Sequence, residues 1–406
     1  MKRLCWSLFW IALLIAASID IYRSLPSNHI TIYSGPKGGT FYNMAIRYSE
    51  ELKSDGYEVK VIPSDNTNAL IANVEASHEP NSIGFQIGEI NQSLYPNVQS
   101  LGFVSTQPLF IFYNNAYGSL VNLSTLKGQP LLMPPRDSVT ASTALQLLSL
   151  YGITEQNTPI TFLPFQEAVN RLRENFGYAL FLMIGAENPV INELMVDPRL
   201  GVFSYSNPSG ILKKLKTLRL VTIETASYDV LTQIPPQPLT LLAGQVEIIT
   251  NKQLDKAASY AILSVLEDVH HTATLTTAVG SYPSYSGLNA GTYPAAENFA
   301  KTGTPWIYQR FPASIATLIE KYIIFGLAIF LLTEVYRTLR YLYEFLALSA
   351  ETAAPNIIRR ATIAQQNGRP SRGINRLMRR WAESVINRKS IKQKASEMLS
   401  KTNNED

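Results

Sequence analysis

From Ile30 onward, short β-rich runs alternate with segments of helical period. The runs Ile30–Tyr33, Glu58–Ile62 and Ser82–Phe85 are separated by helical patterns near Phe41–Lys53 and Thr67–Glu75. Strand, helix and strand at this spacing predict parallel βαβ units. Leu101–Tyr113 predicts one long extended stretch, followed by a strand at Pro130–Met133, a helix near Thr140–Leu150, a strand at Thr161–Leu163 and a helix near Phe165–Asn175. Tyr178–Ile184 is apolar throughout, as a strand buried on both faces must be. The predicted class is α/β, built on doubly wound parallel sheets.

The two ends of the chain break this alternation. Met1-Lys2-Arg3 precedes the apolar stretch Leu4–Ile19, the charge-then-apolar order of an export signal. Residues 1–23 therefore read as a signal peptide cleaved near Ala16-Ala17-Ser18 or as a retained signal anchor. Near the other end, 313–336 predicts a transmembrane helix, with Trp306, Tyr308 and Tyr322 as an aromatic belt and Lys321 able to snorkel. An amphipathic helix packed on the domain is the alternative for that segment.

Charge orients these spans. Residues 351–406 hold 12 Lys/Arg against 5 Asp/Glu, whereas 24–315 hold 17 against 22. The positive-inside rule puts 337–406, together with Lys2 and Arg3, in the cytoplasm and leaves 24–312 outside. The expected location is the inner (cytoplasmic) membrane, with a periplasmic domain and a cytoplasmic tail. A mildly acidic body joined to a basic tail speaks for two compartments and against a nucleic-acid surface. Within the tail, Ile374, Leu377, Met378, Trp381 and Val385 recur at helical spacing among arginines, after a linker at Gln365–Gly373. They predict a basic amphipathic helix for anionic lipid or an acidic partner, or else a bare topology signal.

The chain has 406 residues, 46% of them hydrophobic, which is enough for a sizeable core and excludes a disordered chain. Its single cysteine, Cys5, lies in the N-terminal apolar stretch, so no intrachain disulfide or thiolate site is available. The histidines are His29, His78, His270 and His271, without metal-ligand spacing. His270-His271 reads as a solvated helix end. No nucleophile elbow, dinucleotide fingerprint or Walker lysine occurs. The expectation is a non-enzyme without metal or cofactor.

In doubly wound sheets ligands bind where strands lead into helix N-termini. Three loops have that form. Ser34–Tyr42 contributes Gly38, Gly39, Thr40, Phe41 and Tyr42, whose glycines and free N–H groups suit an anion. Ser64–Asn68 contributes Ser64, Asn66 and Asn68, and Arg136–Thr140 contributes Arg136, Ser138 and Thr140. The same residue types are also ordinary helix caps, and Arg136 alone could be a plain surface arginine.

These loops carry a family resemblance. Ile30–Ala45, the Ser64–Ala76 loop and helix, Ser82–Glu89 with Gly84-Phe85-Gln86, and Leu123–Leu148 follow one another as do the opening blocks of the TAXI receptors. These are the NMT1-like solute receptors of tripartite ATP-independent periplasmic (TRAP) transporters. Gly303-Thr304-Pro305-Trp306 and Gln309-Arg310 resemble the approach to the membrane helix of anchored members. The resemblance spans roughly 30–335. It implies a class II periplasmic-binding-protein fold, with lobe I at 28–113 plus 223–312 and lobe II at 114–222. It also implies closure on a small, carboxylate-bearing ligand or amino acid, with Gln86 joining the loop residues above. A membrane permease or a signalling protein would be the partner. The chain departs from the family at Asn81-Ser82, Gly177-Tyr178 and Asn289-Ala290-Gly291, and a structural or assembly protein that has lost its ligand is the alternative.

Overall fold

A computed structural model describes residues 18–22 and 24–366 and, beyond them, only 380, 381, 384, 387 and 393, with side chains undescribed at 347, 348 and 350–366. Most of the predicted N-terminal signal (1–23) and most of the predicted basic amphipathic helix lie outside the described residues. The described residues up to Ile319 form one compact unit and those from Glu320 a second.

The first unit begins with β1 (His29–Ser34), α1 (Thr40–Ser54), β2 (Glu58–Pro63), a 3-10 turn leading into α2 (Leu70–Glu75), and β3 (Ser82–Ile87). β2, β1 and β3 are parallel neighbours in that order. The crossover helix α1 buries Phe41, Ala45, Tyr48 and Leu52, one stripe at helical period. Phe41 and Tyr48 stack on Phe85 of β3 at 4.9 and 6.0 Å between ring centres, which fixes the start of α1 over the sheet.

Next comes β4 (Val98–Asn114), then β5 (Leu131–Met133), α3 (Val139–Ser149), β6 (Ile160–Phe162), α4 (Phe165–Arg173), β7 (Ala179–Met183), α5 (Pro189–Met195), β8 (Leu200–Val202), α6 (Ser209–Lys214) and β9 (Leu218–Ile223). The chain returns through β10 (Leu239–Asn251), α7 (Lys256–His270), β11 (Gly291–Thr292), α8 (Pro294–Thr302) and α9 (Trp306–Arg310).

Two long strands hold the sheet together. β10 lies between β3 and β4, antiparallel to both, in the order β2-β1-β3-β10-β4-β7-β5-β6. β4 pairs with β10 from Val98 to Pro108 and then, from Leu109 to Tyr113, with β7. Pro108 marks the switch, because it has no N–H to give to a ladder. Its carbonyl instead accepts from Ile184 N–H at 3.2 Å. The sheet is therefore mixed, a correction to the wholly parallel expectation: β1 to β3 are parallel, β5 is parallel to β6 and β7, and β11 is parallel to β4, but β4 runs against β10, β7 and β8, and β9 against β10. Alternation of strand and helix predicts parallel pairs only where a helix bridges successive neighbours. No helix separates β9 from β10.

In the second unit the described residues up to 366 belong to α10 (Ala313–Gln366). Its stretch Ala313–Leu346 is long and apolar enough to cross a membrane by length and composition. At 1.5 Å per residue those 34 residues reach about 51 Å, well beyond a hydrocarbon core of about 30 Å. The helix thus continues past the predicted end at 336. Glu334 with Arg337, and Arg340 with Glu344, form ion pairs at helical spacing.

Candidate functional site

The loop after β1 and the loop before α3 face each other. Four hydrogen bonds join them and their neighbours: Asn68 N–H to Asp137 C=O (3.1 Å), Val139 N–H to Thr67 Oγ1 (2.8 Å), Gly185 N–H to Thr40 Oγ1 (2.8 Å) and Asn188 Nδ2 to Gly38 C=O (3.0 Å). Behind them lies a cavity of about 60 Å³.

Of the sequence-predicted residues, Gly39, Thr40, Phe41, Ser138 and Thr140 line this cavity. The others do not. Gly38 gives its carbonyl to Asn188. Ser64 accepts from Asn66 N–H, while Asn66 Oδ1 accepts from Ala69 N–H at 3.0 Å, so both act as local caps. Asn68 reaches across through its backbone only. Gln86 Nε2 donates to Ile87 C=O. Tyr42 is not among the lining residues. Arg136 is exposed, pairs with Glu155 and lies 4.7 Å over the Phe162 ring, away from the cavity.

Sequence reasoning passed over Thr67, Gln107, Phe165, Leu182 and Met183 at the end of β7, and Ile184 just after it, all of which line the cavity. Gln107 had a usable signal, since Ser105-Thr106-Gln107 is a polar run inside the predicted strand Leu101–Tyr113. It is 3% exposed and its Nε2 has no partner. Opposite it, Gly244 of β10 has no room for a side chain, because a Cβ there would lie 2.4 Å from Ile87 Cγ2.

The lining is rich in donors. Thr40, Thr67, Ser138 and Thr140 each accept from a backbone N–H, of Gly185, Val139, Ala141 and Met183 respectively. A hydroxyl has one donor besides its lone pairs, and none of these four donates within the described residues. The first N–H groups of α1 precede any intrahelical acceptor, and no side chain caps that end. Asp65 is the one charged residue in the lining, and it is exposed.

Beyond the Thr40–Gly185 bond a second, wider cavity of about 350 Å³ is lined by Arg47, Ser105, Glu187 and His270, among others. Here the structure corrects the expectation of a solvated His270. Its ring is largely buried and hydrogen-bonded to Tyr48 Oη. Burial, helped by the nearby Arg47 charge, lowers its pKa to about 4. His271 is the exposed member of the pair and sits against Glu267. Among the described residues no group of three or more His, Cys, Asp or Glu could hold a metal.

No family model matches the chain, and no curated protein matches it. Among solved structures it is similar to holo ArgBP from T. maritima, with a TM-score of 0.37 and 12% identity, covering 60% of this chain and 90% of that one. It is also similar to the amino acid ABC transporter substrate-binding protein AbpA from Streptococcus pneumoniae bound to L-arginine (TM-score 0.38, 11% identity, 61% and 91% covered). A third similarity is to the GluR0 ligand-binding core in complex with L-glutamate (TM-score 0.38, 8% identity, 60% and 93% covered). Likeness at these scores carries no functional weight.

Proposed function

We propose that residues 24–312 are an extracytoplasmic solute receptor that captures a small organic anion by hinge closure. The observation that carries this reading is the cavity enclosed between strand-to-helix loops from both ends of the sheet, with the unpaired Gln107 amide in its wall. Lobes at 28–113 plus 223–312 and at 114–222 are the class II periplasmic-binding-protein arrangement of this proposal. The partner switch of β4 at Pro108 supports a hinge shortly before the boundary at 113/114. Closure would trade bonds to water for bonds to the guest and shift the population toward the closed form.

The apolar stretch of α10 and the basic tail support anchoring in the inner membrane with the tail in the cytoplasm. In that setting the receptor would serve a TRAP-type permease, as a TAXI-like member, or a sensory partner reached through the tail. Thermal unfolding of the full-length chain in detergent, screened against organic acids and amino acids, tests the receptor reading. A true ligand at a hundred times its dissociation constant adds about 2.7 kcal/mol.

The four direct bonds across the cleft favour a second reading, a structural or assembly domain that stays shut without a guest. Failure of every compound to raise the melting temperature would select it.

A further inference from the structure

The cavity's lining narrows the guest further, and this step rests on the receptor reading above. Three properties matter. The first is size. A water needs about 10–15 Å³ of such space, so a cavity of about 60 Å³ holds a guest of about four to six non-hydrogen atoms.

The second is polarity. Four hydroxyls whose oxygens already accept from backbone N–H groups are left with donors to offer, and the uncapped start of α1 and Gln107 Nε2 add more. Converging donors at the positive end of a helix dipole suit a carboxylate. Gln107 is the observation independent of the helix end: a buried amide without a partner, in the cavity wall.

The third is what the lining lacks. It contains no Lys or Arg, and its one acid, Asp65, is exposed. A second carboxylate on the guest would find no cation and would meet Asp65. A ligand ammonium would find no buried acid. The remaining walls, Phe41, Ile87, Phe165, Leu182 and Met183, are apolar.

We infer that the site takes a short monocarboxylate of about two to four carbons, held by neutral donors without a counter-cation, and that Gln107 is its specificity-determining residue. The carboxylate lies against the hydroxyls, the start of α1 and Gln107, and its alkyl end lies against the aromatic and aliphatic walls.

Calorimetric titration of the full-length protein in detergent with sodium propionate, L-alanine and sodium succinate, at matched ionic strength, tests this. Propionate binds, and alanine and succinate bind at least tenfold more weakly. Gln107→Leu weakens propionate about tenfold or more, as loss of a hydrogen bond to a charged group does. The ligand-free variant melts at or above the wild-type temperature, because an unpaired buried amide has been removed. Tighter binding of alanine or succinate than of propionate, or unchanged propionate affinity in Gln107→Leu, overturns the inference and leaves the receptor reading standing. Absence of binding by propionate and by every acid in the wider thermal screen overturns both.

Discussion

Thr40 Oγ1 accepts the N–H of Gly185 at 2.8 Å, a bond between residues 145 positions apart. One partner opens α1 and the other follows β7, so this contact closes the cleft and also divides its narrow cavity from its wide one. Gly185 has little space to spare: a Cβ on it would lie 3.2 Å from both Thr40 Cγ2 and Oγ1.

Gly185→Ala should therefore wedge the cleft toward an open form. Spin labels on exposed sites at Glu50 and Glu174, in a Cys5→Ser background, should report a longer and broader distance distribution than in the unsubstituted pair. An unchanged distribution would show that Thr40 can move aside.

Thr67→Ala removes the acceptor of Val139 N–H, a buried group. A buried donor left unsatisfied costs about 1–3 kcal/mol. Urea unfolding should show the unfolding free energy lowered by that amount, through a lower midpoint at an unchanged slope.

Arg136→Ala should change little. Its pair with Glu155 is largely exposed, and such pairs contribute about 0–1 kcal/mol. Ligand affinity in the titration above should stay within about twofold, corresponding to less than about 0.5 kcal/mol. A tenfold loss would bring Arg136 into the site after all.

His270 makes stability depend on pH. Its folded pKa of about 4 lies below the ordinary histidine value of 6.5, so between these values the unfolded chain binds more protons. Stability should fall as pH drops from 6.5 toward 4, by up to roughly 3 kcal/mol, and this contribution should level off below that. Asp55 and Glu247, whose carboxyls burial holds above their usual range, slope the other way. The difference between wild type and His270→Gln isolates the histidine. Parallel melting curves from pH 7 to 4 would refute its role.

Phe85→Ala should be the most damaging of these changes. The ring is fully buried between Phe41 and Tyr48, and such truncations cost about 3–5 kcal/mol. Because Phe41 also lines the cavity, ligand affinity should fall along with the melting temperature.

Much of the local structure was legible because it is written in short-range periodicity. Phe41, Ala45, Tyr48 and Leu52 announce α1, and the uninterrupted apolar run of β7 announces a strand covered on both faces. Loop chemistry likewise marked where a site would form, and Gly39, Thr40, Phe41, Ser138 and Thr140 do meet around one cavity. The same chemistry also selected Ser64 and Asn66, whose side chains only cap their own turn. A cap and a ligand contact use the same residue types, and only the direction of the side chain separates them. Gln107 shows the reverse case: the pattern placed it in a strand, but nothing local showed that its amide would be left unpaired.

By itself, then, the sequence determined the helices and strands from β1 to β7, which stretch of α10 is apolar enough to enter a membrane, and which loops carry polar groups before helix starts. Each depends on residues within a few positions of one another. The tertiary structure decided the antiparallel insertion of β10, the burial of His270, the pairing of Arg136 with Glu155 and the closing bond from Gly185 to Thr40. Those depend on contacts between distant segments, whose geometry arises only once the chain has packed.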